Sequence, residues 1–192
     1  MTPASLHSRL ALVAGLVVTT LVGCGSVTDT AGQGMMGGSS SYHYSALTCS
    51  APATLPGHRV SVRLSDMGMM RMMAGSAPLG AHMNLSTDRL SVPAGRVTFE
   101  VSNVGWRTHE LVILPLANAA GAGERIPNAS GEIDETGSLG EASNSCAGGT
   151  GDGIEAGTVG WVTLTLAPGR YELLCNLPNH YVDGMHQELV VT

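Results

Sequence analysis

Lysine is absent from these 192 residues, and nine arginines carry all the fixed positive charge. With a formal charge of −6 at pH 7 there is no basic surface of the kind that nucleic acid requires, so that class of partner is excluded. Aromatic residues are scarce at 4%, while glycine numbers 26, a mix that suits a β domain with many turns. The apolar stretch Leu10–Val22 is thirteen residues long, short of the roughly 20 that a spanning helix needs. Cysteines number four, and they have different jobs to fill, so simple pairing arithmetic fails. The length suits one ordinary domain with additional segments.

What is present concentrates near the end of the chain. Tyr171-Glu-Leu-Leu-Cys175-Asn-Leu-Pro178-Asn-His180-Tyr-Val-Asp-Gly184-Met185 places a thiolate, an imidazole and a thioether within eleven residues. Soft, polarisable copper takes this set, with two His nitrogens and a Cys sulfur near one plane and a longer axial bond to Met. The second imidazole is expected from His109. By the two-residue strand period, His109, Leu111 and Ile113 share one face, as do Tyr171, Leu173 and Cys175, and Met185, Leu189 and Val191. All four candidate ligands, His109, Cys175, His180 and Met185, then point with apolar neighbours towards a core. For His109 the competing reading is a buried structural histidine. His186 falls on the opposite face from Met185, which leaves the axial role to Met185.

Cys-x4-His-x4-Met, with the upstream Asn103-x-Gly105-x3-His109 and a closing apolar strand, resembles the cupredoxins. The four-and-four spacing is most similar to the rusticyanin and sulfocyanin branch, and the resemblance covers Val97 to Val191 closely. It implies an all-β fold, a Greek-key β-sandwich of seven to eight strands, with one type 1 copper and one-electron transfer rather than enzyme activity. It also implies that Asn103 hydrogen-bonds across to the copper loop, that Asn176 supports the site beside Cys175, and that His180 is the surface-facing exit for the electron. Glu110 departs from the Asn or Ser common in the family, and a long insertion separates the two ligand-bearing strands. A binuclear centre would need a second Cys in the loop. A multicopper oxidase would place His beside Cys175, where Leu174 and Asn176 stand. Neither catalytic copper nor a small-molecule substrate is expected.

Taken from its start, the chain reads as an export signal over residues 1–23, with Arg9 ahead of the apolar stretch. Leu21-Val22-Gly23-Cys24 resembles a bacterial lipobox, which implies a lipid on Cys24 and an anchor on the extracytoplasmic face of a membrane. An ordinary secretory signal with a chance Cys is the alternative. Residues 24–48 form a Gly-, Ser- and Thr-rich tether holding Met35, Met36 and His43. The domain spans residues 49–192. Strands are expected over Arg59–Ser65, Met83–Val92, Arg96–Ser102 and Thr158–Leu166. In the third of these, Val97, Phe99 and Val101 face inward. Residues 116–157 form a low-complexity insertion with Glu132, Asp134, Glu135 and Glu141, either a docking patch for a basic redox partner or a solvated surface. Export leads to an oxidising space. With Cys24 on lipid and Cys175 on copper, Cys49 and Cys146 remain to pair.

Met67, Met69, Met70, Met72 and Met73 form a dense run, with His82 and Met83 shortly after. They fill an apolar gap or form a docking surface, or they hold Cu(I) as a second site. The last reading supports a competing class, an extracytoplasmic lipoprotein that stores or passes copper.

Overall fold

The computed structural model describes residues 45–66 and 82–192. They carry nine strands: β1 (His58–Asp66), β2 (Met83–Thr87), β3 (Ser91–Val92), β4 (Gly95–Asn103), β5 (Leu111–Leu116), β6 (Gly140–Ala142), β7 (Val159–Leu166), β8 (Gly169–Leu174) and β9 (His186–Val191). There is no helix among the described residues. One sheet has the order β2-β1-β4-β7, and the other β3-β9-β8-β5-β6. Each contains one parallel pair, β1 with β4 and β3 with β9, and the remaining pairs are antiparallel. The architecture is an all-β, Greek-key sandwich.

Alternation builds the core. Val60, Val62 and Leu64 of β1 are buried, whereas Ser61 and Arg63 are exposed. Val97, Phe99 and Val101 of β4 meet Leu111 and Ile113 of β5, Leu173 of β8, and Leu189 and Val191 of β9 in a single apolar cluster. Cys175 and Met185 belong to the same cluster, so the loop between them is continuous with the core. Thr98 turns outward on β4 and is nonetheless buried, because Pro56 covers it and its hydroxyl donates to the Pro56 carbonyl at 2.6 Å.

Two sequence expectations change. Met83–Val92 is two strands in opposite sheets. At the break, Asp88 Oδ1 accepts the Ser61 N–H at 2.8 Å, and the Asp88 N–H donates to the Ser61 carbonyl at 2.9 Å. A side chain that competes for backbone partners ends the ladder and lets the chain cross over. This split and β6 bring the strand count to nine rather than seven or eight.

The insertion, low in complexity, is packed. It contributes β6 against β5, and Asn144 and Gly148 bridge to Gly153 and Trp161. Ile133 packs on Val112, Leu114, Leu174 and Tyr181, on the outer face of the second sheet. Leu111 to Leu114 are therefore covered on both faces, which accounts for an unbroken apolar run where a half-buried strand would alternate. Each such side chain fully removed from water contributes about 1.5–3 kcal/mol. Cys49 and Cys146 pair as expected, with Cα atoms 5.8 Å apart across a sequence separation of 97.

Candidate metal centre

His109 lies just before β5, where its backbone pairs with Ile154 in both directions, at 3.1 and 2.7 Å. Cys175 lies just after β8. Its N–H donates to the Met185 carbonyl at 3.1 Å, and the Met185 N–H donates to the His180 carbonyl at 3.1 Å. Between them the chain makes tight turns, with Asn179 at φ 68° and Gly184 at φ 107°, and the Asp183 N–H returns to the Asn179 carbonyl. The loop is thus closed by its own backbone.

Three of the four expected ligands converge. His109 Nδ1 lies 3.1 Å from His180 Nδ1, and His180 Nδ1 lies 3.3 Å from Cys175 Sγ. The donor atoms of all three residues fall within 4.8 Å of one another, and all three residues are buried. Met185 is fully buried in the cluster that holds Cys175, and its backbone is joined to both Cys175 and His180. Facing ring nitrogens repel unless a proton or a cation lies between them. A soft cation fits this donor set of two imidazole nitrogens and one sulfur, with Met185 buried in the adjoining apolar cluster.

The electrostatics of the site agree with that use. Burial, then the neighbouring His109 ring and the Arg107 charge, hold His180 down to about 3, so its imidazole is neutral across the ordinary pH range. Burial, and next the Glu110 charge, push the Cys175 thiol far up, so a metal must displace that proton to bind. Burial and the Glu141 charge raise Glu110 to about 7. The Glu110 N–H points at Cys175 Sγ, 3.3 Å away, and its carboxylate accepts the Asn176 N–H at 3.1 Å.

Asn103 requires a correction. It does not bond the Cys175–Met185 loop. Its amide donates to the Arg107 and Ile154 carbonyls at 2.6 and 2.7 Å and accepts the Gly105 N–H at 3.0 Å. The two carbonyls lie on the backbone that carries His109 and on the residue that bridges to it. Asn176 ties the ligand loop to the insertion: its side chain accepts the Ile133 N–H and donates to the Ile133 carbonyl and to Glu135. Asp134 and Glu141 are likewise engaged locally, with Thr136 and Ser143. His186 packs on Tyr181, ring centroids 5.2 Å apart, outside the site. His82 is exposed. Cys24 and Met67, Met69, Met70, Met72 and Met73 lie outside the described residues.

Two groups escaped the sequence reading. Asp66 Oδ2 accepts His109 Nε2 at 2.9 Å as well as the Trp106 and Arg107 N–H groups, at 2.9 and 3.1 Å. Burial alone would raise this carboxyl, but the bonds from His109 and the backbone outweigh it and hold it below its ordinary value. The signal was available: Val60, Val62 and Leu64 face inward, and the same period brings Asp66 inward. The second group is Glu172, wholly buried, which takes Arg125 Nε at 2.5 Å, the Tyr181 hydroxyl at 2.9 Å and the Gly123 N–H at 2.7 Å. Period alone puts Glu172 on the outer face, and only the packed insertion explains its burial.

No family model matches the sequence, and neither does any curated protein. Among solved structures, the chain is similar to cupredoxins. Rusticyanin from Thiobacillus ferrooxidans is 17% identical, over 70% of this chain and 76% of that one, at a TM-score of 0.40. Auracyanin A, a "blue" copper protein from Chloroflexus aurantiacus, is 18% identical, over 70% and 98%, at 0.40. An auracyanin from Roseiflexus castenholzii is 25% identical, over 56% and 87%, at 0.39.

Proposed function

We propose that this chain is a mononuclear type 1 copper protein that carries single electrons by Cu(II)/Cu(I) cycling outside the cytoplasm. The observation that carries the reading is the convergence of the buried His109 Nδ1, His180 Nδ1 and Cys175 Sγ, with Met185 buried in the apolar cluster that includes Cys175. His109, Cys175 and His180 are the strong ligands and Met185 the weak axial one. Bound copper supplies a one-electron couple whose oxidation states share one ligand set. The chain's part is to hold those ligands in place. Backbone bonds at both ends of the Cys175–Met185 loop, and the Asn176 contacts with the insertion, limit rearrangement on electron arrival. Neither a substrate nor enzyme activity enters this reading.

The location belongs to the same proposal. Residues 1–23 are a signal and Cys24 carries the lipid, with 24–48 as tether, so the domain works on the outer face of a bacterial membrane. Its partners are redox proteins there. The Cys49–Cys146 disulfide supports an oxidising compartment. Cys24→Ala is expected to release the protein from the membrane fraction, and a variant that stays bound would remove the anchor.

Titration of the exported domain with copper, followed by absorption and electron spin resonance, tests the main reading. One copper per chain, an intense visible thiolate-to-copper band and reversible cycling are expected. A colourless complex would overturn it. Binding of several Cu(I) ions would favour the trafficking lipoprotein, whose supporting methionines lie outside the described residues.

A further inference from the structure

We infer that Asp66 is a positioning residue for the metal site, fixing the tautomer and orientation of His109 and setting a negative charge behind it that favours the oxidised metal. The inference rests on the copper reading above for its redox part, whereas its tautomer part does not.

The contact is built from both sides. Asp66 ends β1 and is 2% exposed. Its Oδ2 accepts two backbone N–H groups, of Trp106 and Arg107, and these hold the loop that delivers His109. An oxygen that already accepts two such bonds takes the ring as a third donor. The proton of His109 therefore resides on Nε2, and Nδ1 is left bare, facing His180 Nδ1 and the Cys175 side of the pocket. Gly105 makes the close approach possible. A Cβ there would stand 2.3 Å from Asp66 Oδ2, so any larger residue would push the carboxylate off the ring.

Ring orientation alone would need no more than a neutral acceptor. A carboxylate adds two effects. It raises the donor strength of the imidazole, as in other carboxylate–histidine–metal arrangements. It also places a charge in a low-dielectric interior, where Coulomb interactions are stronger than in water. Oxidised and reduced copper differ by one positive charge, so a fixed negative charge stabilises the oxidised form more.

Asp66→Asn keeps the size and the acceptor while removing the charge, and Asp66→Ala removes both. In the metal-free parent, nitrogen-15 NMR of the His109 ring should report the proton on Nε2. Asp66→Asn should keep that tautomer, and Asp66→Ala should lose it. In the copper-loaded protein, Asp66→Asn should lower Cu(II) affinity about 10–100-fold, with a smaller change for Cu(I). A tenfold change in their ratio raises the potential by about 59 mV for one electron. A parent His109 with its proton on Nδ1 overturns the proposal without need of any variant. So does an Asp66→Asn protein that keeps its blue band and the parent potential. A parent that never develops the band instead sinks the copper reading, and the metal-free tautomer still decides whether Asp66 holds His109.

Discussion

The N–H of Cys175 donates to the carbonyl of Met185 at 3.1 Å, so the two ends of an eleven-residue loop are joined by one backbone bond. Cys175 and Met185 are both wholly buried in one apolar cluster. His180 is held between them, its carbonyl taken by the Met185 N–H. A loop arranged in this way has little to reorganise when charge changes at its centre.

Cys175→Ser should abolish the visible band and leave the fold standing. The serine hydroxyl is smaller than the thiol but still offers an acceptor to the Glu110 N–H, which now points at sulfur. The thermal unfolding curve should keep a single transition. Absorption of the copper-treated variant is the deciding measurement, and a retained blue colour would mean that another residue supplies the sulfur.

Met185→Leu should keep copper and raise the reduction potential. Leucine fills a similar volume in a core where Met185 is fully buried, so packing changes little. On the copper reading the lost thioether is only a weak axial donor, and a more apolar site favours the less charged reduced ion. A rise on the order of 59 mV corresponds to a tenfold shift in relative affinity. Voltammetry checks it, and complete loss of copper from the variant would give Met185 a larger part than an axial ligand has.

Much of this arrangement was legible in the sequence, for a local reason. Alternation in Arg59–Ser65 and Arg96–Ser102 set the inward faces, and ligand spacing in Cys175–Met185 depends on a short loop. What escaped depends on partners distant in the chain. Asp88 breaks the expected Met83–Val92 strand through Ser61, twenty-seven residues away. Asn103 bonds Ile154, fifty-one residues on, and not the ligand loop. The insertion lacks periodicity because a disulfide, side-chain bonds and single bridges hold most of it, and its one strand, β6, is three residues long.

Replacing Cys49 and Cys146 together by Ala should destabilise the domain by roughly 4–5 kcal/mol in the chain-entropy model for a loop of this length. The bond joins the segment before β1 to the insertion and lies beside β7, whose Val159 N–H points at Cys49 Sγ. Chemical denaturation of the parent and the double variant compares the two directly. Equal midpoints would show that the pairing adds nothing to stability.

Arg125→Ala should loosen the insertion and disturb the neighbourhood of His180. Glu172 has no exposed side-chain surface, and Arg125, a residue of the insertion, is its cationic partner in the ion pair. Removing one partner of a buried pair leaves an uncompensated charge, at a cost of roughly 3–5 kcal/mol. Arg125 retains 26% exposure, which places the expected loss at the lower end. The Tyr181 hydroxyl bonds the same carboxylate and accepts the Arg125 N–H, and Tyr181 directly follows His180. Adding Glu172→Gln should recover much of the stability, because the glutamine carries no charge to leave unpaired. Urea denaturation of the two single variants and the double variant isolates the pair. An Arg125→Ala protein as stable as the parent would mean that Glu172 is held by Tyr181 and Gly123 alone.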